Sequence, residues 1–368
     1  MKTTLLHAWH EAAGARFAAF AGFDMPIQYP LGAVEEHRLT RRSLGFFDID
    51  HMGQVSVSGK GAGEALSGLV SSRILDMKPW EARYALLLNE AGGVIDDLFI
   101  YREEGEDAWF VVVNAGNRET DVEYLGSRLP PGVTLRDISE ETYMISLQGK
   151  RAVELMDRVS GGLVSPMPRF SMRWGEIAGI SLRIGRTGYT GEDGVELFYD
   201  AAKARELWEY LFVQAAEAGI EAGAVGLAAR DSLRFEAGMP LHGHEISPSI
   251  SPLEGGLSWA CDFGKDFVGK NALLAQKAAG LKRKLSTINV TGGVPREGYP
   301  VLNDEGTEIG RCVSGMFCPS TGTYSANALL PPEYAGIGAR VLVLIREKPK
   351  EGVVVKRPLY IPVYRSKQ

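Results

Sequence analysis

Two adjacent aspartates, Asp96 and Asp97, sit inside the apolar segment LLLNEAGGVIDDLFIY at Leu86–Tyr101. A carboxylate is costly to bury unless it is paired, hydrogen-bonded or open to a cleft, so the pair marks a place for acid–base or electrostatic chemistry. The glycine-containing connection predicts a hairpin with its second strand at Val94–Tyr101. Side chains alternate along a strand, so Val94, Asp96, Leu98 and Ile100 share one face, and Ile95, Asp97, Phe99 and Tyr101 the other. Whichever face is the core, one carboxylate lies among apolar neighbours. Alternation alone does not choose which.

Four other constellations carry chemistry-bearing side chains. In Arg186–Tyr199, RTGYTGEDGVELFY, a glycine-rich turn separates Tyr189 from the strand-borne Glu196. The segment reads either as a tight surface turn or as a holder for an N–H-rich heterocycle, which a carboxylate can grip through both oxygens. A helix over Val225–Glu236 carries Arg230, Asp231 and Arg234. It reads as a salt-bridged surface, with Asp231 pairing Arg234, or as an arginine aimed inward at a carboxylate-bearing ligand. His51 and Met52 lie in FFDIDHMGQ, where a lone histidine is ordinarily structural. His242, His244 and Glu245 superficially resemble a metal site, but no third cluster with ligand spacing accompanies them, and no metal is expected. The glycines match neither a Walker loop nor a dinucleotide fingerprint, and PSTGTYS after Cys318 reads as a turn. No serine elbow or cysteine signature indicates covalent hydrolysis.

The elements that must position these residues follow from periodicity and punctuation. Helices are expected at His7–Ala13, Gly32–Arg42, Gly59–Leu69, Asn117–Leu125, Arg151–Val159 and Ala204–Ala218. Strands are expected at Gln54–Ser58, Trp109–Val113, Thr142–Gln148, Ile177–Ile184 and Val195–Tyr199. Met239–Phe267, rich in proline and glycine, reads as a long ordered loop, a feature that is uncommon unless functional. After Leu281, strands at Lys284–Val290, Ile309–Phe317 and Ala339–Ile345 indicate a β-rich C-terminal unit.

Bulk composition narrows the class. The 368 residues are long enough for two or three domains, and 45% hydrophobic with 23% charged residues is a globular composition. A net charge of -6 argues against nucleic acid as the main partner while leaving room for a local basic patch. The three cysteines, Cys261, Cys312 and Cys318, are too scattered for a disulfide framework, which points to a reducing, cytoplasmic setting. No apolar run is long enough to span a bilayer, so no membrane association is expected.

Six ordered motifs carry a family resemblance: AGFDMPIQY (Ala21–Tyr29), GFFDIDHMGQ (Gly45–Gln54), LLLNEAGGVIDDLFIY, VVNAGNRETD (Val112–Asp121), GYTGEDGVEL (Gly188–Leu197) and ARDSLRFEAGMPLHGHEI (Ala229–Ile246). Over essentially its whole length the chain resembles the aminomethyltransferases, or T-proteins, of the glycine cleavage system. The resemblance implies an α+β fold: a three-domain cloverleaf of two mixed α/β folate-binding domains and a C-terminal β-barrel-like domain. The expected division is 1–50 with 140–270, 51–139, and 280–368. It also implies transfer of an aminomethyl group from the lipoyl arm of an H-protein to tetrahydrofolate, with release of ammonia and 5,10-methylenetetrahydrofolate. Asp97 is then the catalytic carboxylate, and Met52, Tyr84, Val113, Asn114, Tyr189, Glu196 and Arg230 are the folate-contacting residues.

Two positions depart from the family pattern. Asp50 stands where serine is usual, adding a negative charge beside Met52, and the segment from Cys318 is looser than usual. Another folate-dependent methyl transferase or demethylase of the same fold is the alternative reading. A non-catalytic folate-binding regulatory protein is a third, which the retained Asp97 argues against.

Overall fold

The computed structural model describes residues 1–361; the last seven residues of the expected C-terminal unit, 362–368, lie outside the described residues. A six-stranded sheet runs in the order Met172–Ile177, Ile180–Gly185, Gly194–Asp200, Thr142–Gln148, Leu44–Asp48, Ala222–Ala224. Its neighbours pair antiparallel except Ala222–Ala224, which runs parallel to Leu44–Asp48. A five-stranded antiparallel sheet follows the order Ala82–Leu88, Val94–Arg102, Ala108–Val113, Gly53–Ser58, Thr134–Asp137. Six further strands between Lys284 and Val355 close into a barrel. The fold is α+β with a C-terminal β-barrel.

Alternation along each strand divides every side chain between two cores. In the six-stranded sheet Phe46, Ile145 and Leu197 point to helices Ala152–Ser160 and Ala204–Glu217, joining Leu155, Leu207 and Trp208. Their neighbours Phe47, Met144 and Phe198 point the other way and meet Tyr101, Phe110 and Val112 of the five-stranded sheet. That sheet in turn sends Leu98, Ile100, Val111 and Val113 to its own outer layer, against Leu66 and Leu125 of helices Ala62–Leu69 and Arg118–Gly126. The two sheets therefore face each other, and Asp97, Phe99 and Tyr101 of Val94–Arg102 point between them, whereas Ile95, expected on that same face, packs in the outer layer instead.

Most expected elements lie within a few residues of their predicted bounds. The single strand expected at Ile177–Ile184 is instead a hairpin, Met172–Ile177 with Ile180–Gly185, that reverses at Ala178 and Gly179, both at positive φ. A two-residue turn of this hand suits the strand twist, and one glycine inside an otherwise regular pattern is a weak marker of it. The N-terminal hairpin Arg16–Phe20 with Phe23–Gln28 was not anticipated; Pro26 in its second strand demotes that run from a strand reading. Met239–Phe267 is irregular apart from a short turn of 3-10 helix at Ser258–Ala260. Among the described residues no helix is long and apolar enough to cross a membrane.

Candidate functional site

Between the two sheets, the 239–267 loop and the Leu227–Glu236 helix lies a cavity of about 520 Å³, within the range of small-molecule sites. Asp97 reaches it by strand alternation, on the same face as Phe99, while Asp96 is fully buried on the opposite face. Just before the pair the Val94–Arg102 strand carries a bulge: Leu87 pairs with Asp96 and Leu88 with Val94, leaving Ile95 as the extra residue, turned to the outer core.

Asn114, just past the end of the neighbouring strand, ties the two aspartates together. Its side-chain amide donates to Asp97 Oδ1 at 2.9 Å, to the Asp97 carbonyl at 2.9 Å and to Asp96 Oδ1 at 2.8 Å, and its backbone N–H donates to Asp96 Oδ2 at 3.0 Å. Burial, then the charge of Asp96, pushes the Asp97 carboxyl up to about 7, with Tyr84 and Asn114 opposing the rise. The Tyr84 hydroxyl approaches Asp97 without closing a well-formed hydrogen bond. Its ring stacks on Trp259 at 5.4 Å and meets Phe99 edge-on at 5.8 Å.

Glu196 enters from the opposite sheet on the same face as Phe198, as alternation requires. Tyr101, Thr187 and Glu196 form a hydroxyl chain: Thr187 Oγ1 lies 2.9 Å from the Tyr101 hydroxyl and donates to Glu196 Oε2 at 2.5 Å. Burial raises the Glu196 carboxyl, against which the Thr187 hydrogen bond and the Arg230 charge hold it down. The Arg230 guanidinium sits 4.8 Å above the Tyr189 ring, and Tyr189 donates its hydroxyl proton to the Pro240 carbonyl. Besides the Tyr84 hydroxyl, two buried polar atoms on the wall, Arg230 Nη1 and His51 Nδ1, have no partner among the described residues. Burial and the Arg230 charge lower His51 to about 3, so its ring is neutral. Phe170, at a positive φ of 58° and 47% exposed, closes one side by lying nearly parallel to Phe99 at 6.1 Å. A bulky residue in that backbone region is strained, a condition that persists where surrounding structure fixes it.

The structure brings together Met52, Tyr84, Asp97, Asn114, Tyr189, Glu196 and Arg230, all on one cavity wall or another. It does not bring Val113, which is fully buried in the outer core with Leu66 and Leu125. Val112 lines the cavity instead, because the expectation was one residue out on a strand of period two. Asp50 is also corrected. Its Oδ1 accepts the Met144 backbone N–H at 2.9 Å, and burial with the Asp48 charge raises it to about 9, so it adds no negative charge beside Met52 at neutral pH. The arginine helix divides its arginines, and the expected salt-bridged surface is instead largely buried, Arg234 being 1% exposed. Arg234 Nε donates to Asp231 at 2.8 Å, while Arg230 faces the cavity. His242 and His244 serve backbone carbonyls, at Val94 and Val313, and among the described residues no group of His, Cys, Asp and Glu is arranged to hold a metal.

Sequence reasoning missed Phe20, Phe170, Trp259 and Asp121. The first three close the cavity from the end of the Arg16–Phe20 strand, a bend at Phe170 and the short 3-10 turn Ser258–Ala260, stretches too short or irregular for periodicity to show which way a side chain points. Asp121 had a weak signal: a carboxyl buried in the first turn of the Arg118–Gly126 helix, one turn past Asn117, the residue at its N-cap. The cavity walls suit a flat, hydrogen-bonding heterocycle. Aromatic rings supply planes, two carboxylates accept from ring N–H groups, and the free Arg230 and His51 atoms remain for a polar ligand.

Comparison with known proteins bears on the sequence and the overall fold. The family model described as the GCVT N-terminal domain matches residues 6–265, and the glycine cleavage T-protein C-terminal barrel domain matches residues 283–360. An aminomethyltransferase of Herpetosiphon aurantiacus is 41% identical over 371 residues, covering 100% of both chains. One from Desulforamulus reducens is 39% identical, covering 98% of both. Among solved structures, the crystal structure of glycine cleavage system aminomethyltransferase T from Bartonella henselae superposes with a TM-score of 0.91 at 34% identity, covering 98% of both chains.

Proposed function

Because the chain belongs to the glycine cleavage T-protein family and is a tetrahydrofolate-dependent aminomethyltransferase, we propose that the cavity around Asp97 is where folate receives the one-carbon unit and that the donor is the aminomethylated lipoyl arm of an H-protein. The convergence of Asp97, Glu196 and Arg230 on one aromatic-walled cavity supports this reading. The three-part division at 1–50 with 140–270, 51–139 and 280–368 goes with it, the sheet memberships supporting those boundaries. A cytoplasmic setting is part of the same reading.

Tetrahydrofolate supplies the nucleophilic ring nitrogen that takes up the carbon. Glu196 accepts from the N–H edge of the pterin, with its own geometry fixed by the Thr187 hydroxyl. Tyr84, Phe99 and Met52 wall the ring system. Arg230, with one N–H uncommitted, faces the carboxylate-bearing portion of the ligand. Asp97, fixed by Asn114, stabilises positive charge that develops as the bond forms and accepts the displaced proton at its free oxygen. The aromatic surround excludes water and strengthens each of these interactions.

The test is turnover with purified protein, aminomethylated H-protein and tetrahydrofolate, scoring ammonia and methylenetetrahydrofolate together. Stoichiometric formation of both is expected. Saturable folate binding without either product, or equal turnover with free aminomethyl-lipoamide and no dependence on the H-protein, overturns the assignment of the donor.

A further inference from the structure

Behind Asp97 lies a second carboxyl pair that does not reach the cavity. Asp96 and Asp121 are both fully buried, the first on the Val94–Arg102 strand, the second in the opening turns of the Arg118–Gly126 helix. They differ in what donates to them. Asp96 accepts three N–H groups, two from Asn114 and one from Asn117 at 2.7 Å. No N–H or O–H among the described residues donates to either oxygen of Asp121, whose carboxyl lies against Asp96.

The neighbouring donors are already committed. His242 Nε2 lies 3.1 Å from the Val94 carbonyl, which only accepts, so that nitrogen carries the ring proton. His242 Nδ1 is then the acceptor for the Asn117 amide at 3.0 Å. Asn117 thus gives one N–H to His242 and the other to Asp96, while the Asn114 amide bridges Asp96 and Asp97. Among the described residues no cation compensates Asp121: the titratable groups acting on it are Asp96 and Asp97. Arg118 on the same helix is engaged by Asp137 and Glu140, and Glu119 is exposed.

Two adjacent carboxyls in a dry interior do not both ionise, and the one with three donors keeps the charge. We infer that Asp121 is a carboxylic acid whose O–H donates to Asp96, and that this shared proton makes it a positioning residue for Asp97. The ionised Asp96 fixes the Asn114 amide, and that amide holds Asp97 toward the cavity. Burial and the two neighbouring charges, which raise Asp121 to about 10, agree with the protonated form.

Only the kinetic half of this inference rests on Asp97 as the working carboxylate; infrared difference spectroscopy reads the proton without it. The full-length protein at neutral pH is expected to show a carboxylic-acid carbonyl band that disappears in Asp121→Asn. That variant keeps a donor and the same charge. It is expected to retain kcat within about threefold, with the acid limb of kcat/KM unmoved. Asp121→Leu removes the donor and is expected to lower kcat about tenfold or more while KM for tetrahydrofolate stays within about threefold. No lost band, or an acid limb that falls by about one pH unit in Asp121→Asn, means Asp121 was a carboxylate and overturns the inference. Parental kcat in Asp121→Leu overturns the positioning role. Should the leucine variant fail to fold, the band and the acid limb still decide. An active Asp97→Asn enzyme together with the expected band would locate the failure in the Asp97 assignment instead.

Discussion

Asp97 is an acid whose folded environment favours its protonated form, yet the proposed chemistry needs its carboxylate. Burial and the Asp96 charge raise it to about 7, while the groups facing it, Tyr84, Asn114 and more distantly Tyr189, carry no positive charge at neutral pH. In the free enzyme kcat/KM should therefore fall as pH drops through about 7, an acid limb absent from Asp97→Asn. That variant should lose about 100-fold in kcat while tetrahydrofolate affinity changes by less than about tenfold. The stability sign is opposite. A carboxyl with a raised folded value contributes stability that is full below the unfolded value of about 3.9 and is lost as pH rises through the folded one. Asp97→Asn removes that loss, so calorimetry above pH 7 should show a melting temperature higher by roughly 2 °C. A slower enzyme that melts later is the signature of a carboxylate kept for chemistry.

At the scale of elements, the period of a strand separates binding from stability one residue at a time. Val112 and Val113 are neighbours on the Ala108–Val113 strand, but the first lines the cavity and the second is fully buried in the outer core. Val113→Ala should destabilise by about 2 kcal/mol in urea and leave KM for tetrahydrofolate unchanged. Val112→Ala should raise that KM several-fold at a smaller cost in stability. Equal effects from the two would contradict the facing of the sheets. The same logic puts Asp96 and Asp97, adjacent in sequence, on opposite faces, with the Asn114 amide donating to both. Regular pairing from Asp96 onward, past the bulge at Ile95, sets Asp97 on the face where it meets Tyr84 and Asn114.

Across the whole molecule, the barrel is held to the sheets by buried charge as well as apolar contact. Glu245 accepts from Arg234 at 2.7 Å and from Ser314 and Asn327 of the barrel, while Glu236 accepts the Ser320 backbone N–H at 2.8 Å and contacts His37 and Arg41. Ser320 of the PSTGTYS turn thus joins two helices, its hydroxyl meeting His37 and Arg41 of Ala33–Arg42 and its backbone N–H meeting Glu236 of the Leu227–Glu236 helix, which also carries Arg230. Removing one partner of a buried pair leaves the other charge unpaired, so Arg234→Met should cost about 3 kcal/mol. Both glutamates are held below their usual range by these partners. Their stabilisation is therefore present above the unfolded value and is lost as pH falls through the lowered folded values. Acid titration followed by tryptophan fluorescence and proteolysis should show an acid transition that begins at higher pH in Arg234→Met.

How much of this was readable beforehand follows from the range of each interaction. Alternation and helical spacing are local, so the hairpin at Leu86–Tyr101, the Glu196 strand, the arginine helix and a β-rich C-terminal part were legible, as was the placing of Asp96 and Asp97 on opposite faces. The motifs added the family, and with it most of the cavity wall. What the residues alone left open was direction: which face is core, whether Arg230 turns in while Asp231 pairs with Arg234, and whether Val112 or Val113 meets the ligand. Those depend on two sheets closing on each other, a contact between segments far apart in the chain. Protonation was hidden for the same reason. Asp50 beside Asp48, and Asp121 against Asp96, take their character from neighbours and burial that exist only once the tertiary structure has excluded water.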